Sequence, residues 1–278
     1  MFRRVLDWDD AYANGPNIPR GEQWPNAWIE PARLFRERLQ VEQRAKLDIT
    51  YGPRPRNRFD LFLPDGAPKG LVIYVHGGFW HRLDKSFWSH LAQGSVDRGF
   101  AVAIPGYTLC PDVRVRDITA EIGAAVTAAA AMVLGPLLLA GHSAGGHLVT
   151  RMISHTSPLA PDVRGRIRNT VSISGLHDLR PLLHTGMNAL IRLDEEEACE
   201  ESPALLAPMP DARLVCWVGA SERAEFIRQS ALLANIWTGL GATTTAIEEP
   251  DRHHFDVIDG LADSSHALTS TLLEPNPA

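Results

Sequence analysis

A serine lies between two glycines in Gly141-His142-Ser143-Ala144-Gly145, directly after the apolar run "PLLLAGH" and directly before a helical pattern. In that context the serine is expected on a sharp strand-to-helix turn, with its hydroxyl above the end of a sheet, where it can act as a nucleophile. The flanking glycines have a steric reason, since a side chain at 141 or 145 would meet the neighbouring strand or helix. A helix starting at the serine also directs free N–H groups and a partial positive charge toward it. The competing reading is a tight glycine turn with no chemistry. The rest of a hydrolytic site, elsewhere and in the right order, would separate the two.

Three further elements are present. "VIYVHGGFW" places Gly77 and Gly78 after another apolar run, and glycine there lets backbone N–H groups approach a reacting carbonyl. With the N–H of Ala144 they form a candidate oxyanion hole. A serine hydroxyl needs a base at neutral pH. Of the eleven histidines, His142 and His147 flank the serine too closely to reach over it, whereas "EEPDRHHFDVIDGL" puts His253 and His254 on a loop after the last apolar run. His254 is the expected base and His253 a pocket wall. The acid should follow the preceding strand. There "RLVCWVGASERAEF" supplies Glu222, with Glu225 read as a surface or helix-start charge. Asp178, after "SISGLH", is the rival acid, with a helix-start charge as its simpler role. A metal site built from His253, His254 and Asp256 has poor spacing, so neither metal nor cofactor is expected. Oxyanion glycines, serine, acid and histidine in this order favour the nucleophile.

These side chains need a sheet to hold them. "GLVIYVH", "FAVAIPG", "PLLLAGH", "IRNTVSISG" and "ARLVCWVG" are near-continuous apolar runs, expected as strands buried on both faces. Helical patterns separate them at about 85–98, 113–134, 144–156 and 222–240, which implies a mostly parallel sheet with right-handed crossovers. "AKLDITYG" and "NRFDLFLP" alternate like half-exposed antiparallel strands. Residues 1–44 are rich in Trp, Pro, Asn and Arg, with a helix expected around "EPARLFRERLQVEQR". The stretch 176–210 is too long for a simple connection and is expected to carry two short helices as a cap-like insertion over the site. Its "DEEEACEE" run reads as a solvated helix face.

Bulk properties exclude several classes. The chain has 278 residues, 22% charged and 45% hydrophobic, with a net charge of −6. That size suits a single α/β domain over 1–278, and the mild acidity gives no reason to expect nucleic acid. Cys110, Cys199 and Cys216 share no CxxC spacing and cannot all pair, so a reduced compartment is expected. "MFRRVLDWDD" lacks the apolar stretch of a secretory signal, which leaves the cytoplasm as the expectation. Residues 122–141 carry no charge, but they are alanine-rich and broken at Gly135-Pro136. They read as a helix followed by a strand, not as a membrane span.

"HGGFW", "GHSAGGHL", "SGLHDLRPLL", "EFIRQS" and "HHFDVIDGL", together with "DWDDAYANGPNIP" near the start, resemble the kynurenine formamidase (arylformamidase) group of α/β-hydrolases. The segments span nearly the whole chain. The resemblance implies the α/β-hydrolase fold, a mostly parallel central sheet flanked by helices. It also implies Ser143 as nucleophile, His254 as base, Glu222 as acid, and the N–H groups of Gly77, Gly78 and Ala144 as the hole. The implied reaction is hydrolysis of N-formyl-L-kynurenine to kynurenine and formate, a step of tryptophan breakdown. Several relatives have Asp where this chain has Glu222 and Tyr where it has Phe79. Phe79, Trp80, Tyr107 and Phe255 all fall near expected loop ends and form a candidate aryl pocket, with the protein core as the competing fate. Formamides and esters use the same acyl-enzyme route, so a small-acyl carboxylesterase is the alternative, and a catalytically silent binding protein a more remote one. The expected partner is a small aryl formamide or ester, with no nucleic acid and no membrane; a homodimer is left open.

Overall fold

The computed structural model describes residues 4–274; the first three residues of the stretch read for a secretory signal, and 275–278, lie outside it. Eight strands form one sheet in the order β1-β2-β4-β3-β5-β6-β7-β8. They are β1 (Ala45–Thr50), β2 (Arg58–Phe62), β3 (Leu71–Val75), β4 (Ala101–Pro105), β5 (Leu137–His142), β6 (Ile167–Ile173), β7 (Arg213–Gly219) and β8 (Thr243–Glu249). The first two join antiparallel, β2 against β4, and every pair from β4 through β3 to β8 is parallel. This is the α/β-hydrolase arrangement.

The apolar runs are continuous because successive side chains enter two different cores. Leu71, Ile73 and Val75 pack with Leu137 and Leu139 on one face, against residues of the Val115–Met132, Ala144–Met152 and Ala224–Gly239 helices. Val72 and Tyr74 pack with Leu138 and Ala140 on the other, against Trp28, Phe35, Trp88 and Leu268. A strand covered on both faces has no polar side to alternate with.

Four expectations change. β2 is buried from Phe59 to Phe62, not half-exposed, because both of its faces are covered, Phe59 and Leu61 entering one core and Phe62 the other; of the first two strands only β1 alternates. The N-terminal helix spans Trp24–Val41, beginning before the expected Glu30, with Pro25 in its first turn where the missing N–H costs nothing. The 176–210 stretch holds four short helical turns, at Arg180–His184, Asn188–Ile191, Glu195–Glu200 and Pro203–Leu205. Its acidic run is not simply solvated. Glu197 is fully buried and paired with Arg114 and Arg116, and Glu201 pairs with Arg151 at 3.0 Å.

The uncharged 122–141 stretch divides into the end of the Val115–Met132 helix and the start of β5. Among the described residues no helix is long and apolar enough to cross a membrane. All three cysteines are free.

Candidate active site

Ser143 takes φ 55° and ψ −118°, a conformation that a non-glycine residue adopts only under constraint. The constraint is visible on both sides. Its N–H donates to Ile173 O on β6 at 2.8 Å, and its carbonyl accepts from His147 N in the helix that follows. A Cβ on Gly145 would lie 2.0 Å from Val75 O, and one on Gly141 would lie 2.2 Å from Gly145 O. Strand, turn and helix therefore approach closely enough to exclude any side chain at either position. Ser143 Oγ has no hydrogen-bond partner among the described residues, and the side chain borders a cavity.

The loop after β3 runs beside this turn. A Cβ on Gly77 would be 3.1 Å from Ser143 Cβ, so the Gly77 backbone lies against the serine. Gly78 has φ 113°, and its carbonyl accepts from His81 N and Arg82 N, which folds the loop back on itself. Phe79 and Trp80 follow with φ 48° and 59°. Ala144 begins the next helix, where the first N–H groups have no partner within the helix. Gly77, Gly78 and Ala144 are thus gathered around one serine.

Glu222 follows β7 and His254 follows β8, and the two meet. His254 Nδ1 donates to Glu222 Oε2 at 2.6 Å. The other carboxylate oxygen accepts from Ser174 Oγ and from Gly219 N. The Glu222 side chain is fully buried and that of His254 nearly so. A carboxylate with both oxygens engaged fixes the ring and its tautomer, leaving Nε2 as the free nitrogen. The ring packs 4.4 Å from Phe226 and 4.6 Å from His142. Asp178, by contrast, accepts from its neighbour Arg180 and from Arg180 N, a local turn charge.

The cavity has a volume of about 620 Å³ and is bordered by Gly77, Gly78, Phe79, Ser143, His254 and Phe255 among others. That size accommodates a drug-sized molecule. Several sequence expectations fail here. Trp80 and Tyr107 are fully buried: Trp80 Nε1 donates to His147 Nδ1, and Tyr107 OH donates to His76 O. They support the loop from beneath and do not border the cavity. His253 also stays outside it, edge-on to Trp24 at 5.1 Å, with its Nδ1 accepting from Phe255 N and Asp256 N. Of the 176–210 stretch, only Met187 and Leu190 reach the cavity.

The sequence reading missed the wall that replaces them. Tyr12, Asn14, Pro16, Pro25 and Trp28 come from the N-terminal segment, and Trp88 from the stretch after β3. The available signal was the turn-rich "ANGPNIP", since loops held over a rigid sheet commonly carry binding residues. Glu225 is buried too: it accepts from Tyr12 OH and pairs with Arg228. Gln229 donates to Tyr12 OH and accepts from His177 N and Asp178 N. The "EFIRQS" run therefore clamps the N-terminal segment over the site, while Phe226 supports His254.

His142, which flanks Ser143 in the chain, also borders the cavity. Its Nε2 donates to His254 O at 2.8 Å, and burial holds its pKa well below the ordinary range. Among the described residues, no group of three or more His, Cys, Asp or Glu could hold a metal ion.

A family model described as BD-FAE matches residues 59–183. A kynurenine formamidase of Danio rerio is 28% identical over 257 residues, 89% of this chain and 87% of that protein. A kynurenine formamidase of Salmo salar is 29% identical over 248 residues, 86% of this chain and 84% of that protein. Among solved structures, a chain from Silicibacter sp. TM1040, provisionally described as a thioesterase, is 47% identical with a TM-score of 0.91. It covers 96% of this chain, and this chain covers 99% of it. An esterase of Pyrobaculum calidifontis, 19% identical with a TM-score of 0.70 and 90% coverage of each chain, shares the fold.

Proposed function

Since this hydrolase is similar to kynurenine formamidases over most of its length, we propose that it cleaves aryl formamides by an acyl-enzyme route, with N-formyl-L-kynurenine as its substrate. The observation that supports this most is the convergence of Ser143 and the Glu222-supported His254 on one aromatic-walled cavity.

In this reading His254 Nε2 takes the Ser143 proton as Oγ attacks the formyl carbon. The N–H groups of Gly77, Gly78 and Ala144 hold the oxygen that becomes negative, and each such donor contributes about 3–4 kcal/mol to the transition state. Collapse breaks the C–N bond, and His254 returns the proton to the departing arylamine. Water then attacks the formyl ester with His254 again as base, releasing formate and the serine. Glu222 keeps the ring oriented and stabilises its charged form. Phe79 and Phe255 supply apolar wall for the aryl group.

The test is formate and kynurenine release from N-formyl-L-kynurenine, with Ser143→Ala as the control. Release by the wild type alone supports the reading; no release by either removes it. A second reading, cleavage of short acyl esters or thioesters, is favoured by the thioesterase description of the 47% identical solved chain. The same groups would perform it.

A further inference from the structure

The cavity beside Ser143 holds an unusual share of the molecule's unpaired polar atoms. Among the described residues, the buried side-chain atoms without a hydrogen-bond partner include both polar atoms of Asn14, the indole nitrogens of Trp28 and Trp88, and His142 Nδ1. All four residues border this cavity. Asn14 stands out, being only 5% exposed with Oδ1 and Nδ2 both unpaired. A buried carboxamide left unpaired is costly, and proteins seldom retain one without a use for it.

Its position indicates what it would meet. Asn14 and His254 also border a smaller adjoining cavity of about 200 Å³, which reaches Glu222 and Arg223. Asn14 therefore sits on the histidine side of the site. Because His254 would return a proton to the departing nitrogen, that side faces the leaving group.

We propose that Asn14 selects the leaving group. Its carboxamide pairs with a polar arm on the aryl amine that offers both a hydrogen-bond donor and an acceptor, such as an α-amino acid head or a carboxamide. The inference rests on the site reading above and adds a substrate class to it: aryl compounds bearing such an arm are preferred over plain ones. A hydrocarbon leaving group would bury the carboxamide without satisfying it, and sites built to hydrogen-bond a substrate discriminate strongly on that ground.

The test measures kcat/KM for an armed and a plain substrate of each kind, in wild type, Asn14→Leu and Asn14→Asp. The formamide pair is N-formyl-L-kynurenine and formanilide; the ester pair is 2-acetoxybenzamide and phenyl acetate. The armed-to-plain ratio should fall about ten- to a hundred-fold in Asn14→Leu. It should also fall in Asn14→Asp, whose carboxylate accepts but does not donate. The melting temperature of Asn14→Leu should be no lower than that of wild type, because the substitution removes unpaired buried polar atoms. An unchanged ratio in both variants overturns the proposal, whatever the melting temperature. Failure to cleave either formamide removes the formamidase reading alone, and the ester ratio then decides the role of Asn14.

Discussion

Glu222 Oε2 accepts the His254 Nδ1 proton at 2.6 Å, while Oε1 of the same carboxylate is held by Ser174 Oγ and Gly219 N. The acid is thus tied to β6 and β7 at once, and the histidine on the loop after β8 takes its orientation from two neighbouring strands. An aspartate at this position would have a shorter reach; the glutamate brings one oxygen to the ring and the other to Ser174 Oγ and the Gly219 backbone.

Glu222→Gln should lower kcat by about 10⁴-fold, somewhat less than loss of the nucleophile. Asp178→Asn should retain most activity, since that carboxylate is engaged only with Arg180. Steady-state kinetics of the two folded variants decides between them, and the reverse order would transfer the acid role to Asp178.

Ser143→Ala and His254→Ala should each lose nearly all activity, on the order of 10⁶-fold in kcat, and the double variant should be little worse than either alone. A serine-directed phosphonate should add one adduct mass to the wild type and none to Ser143→Ala. An adduct on Ser143→Ala would place the nucleophile elsewhere.

Gly145→Ala should fail to reach the native fold or melt far below the wild type, because its Cβ would stand 2.0 Å from Val75 O in backbone that cannot withdraw. Circular dichroism and a melting curve check this. A variant with wild-type melting and activity would show that strand and helix are less tightly apposed at the turn.

The parts of the chain visible to sequence reading share one physical basis. β3 to β7 are short apolar runs with glycines where chain turns after a strand, and Ser143, Glu222 and His254 each follow a strand in the order the fold uses. The cavity wall was not legible, for the opposite reason. Trp80 and Tyr107 stand at loop ends yet point into the core, and nothing in their spacing distinguishes a wall from a support. The Tyr12–Pro16 part of the wall comes from a turn-rich segment without hydrophobic period. It is placed by long-range contacts from Glu225 and Gln229, which no local pattern announces. The burial of Glu197 was hidden likewise, since its partners Arg114 and Arg116 lie some eighty residues away.

Stability should decline in mild acid. Burial pushes His76 and His147 down to about 4 and His177 down to about 3. Their folded values lie below the unfolded value of about 6.5, so the unfolded chain binds protons that the folded chain refuses. Their contribution is complete above pH 6.5 and is lost as the pH falls from there toward 4. The slope reaches about 1.4 kcal/mol per pH unit for each histidine. Urea unfolding at pH 7.5 and 5.0 measures it; equal stability at the two values would contradict the burial of neutral rings.

Steady-state kcat/KM of the purified protein on N-formyl-L-kynurenine, set beside phenyl formate, phenyl acetate and phenyl butyrate, tests the proposed reaction most directly. A formyl group needs little room beside Ser143, and each methylene forced into a filled space costs about 1–3 kcal/mol. The predicted result is a steep fall from formyl through acetyl to butyryl, with N-formyl-L-kynurenine above the acetyl ester. Comparable values for acetyl and butyryl esters, with no turnover of N-formyl-L-kynurenine, would contradict the formamidase account and leave a general carboxylesterase.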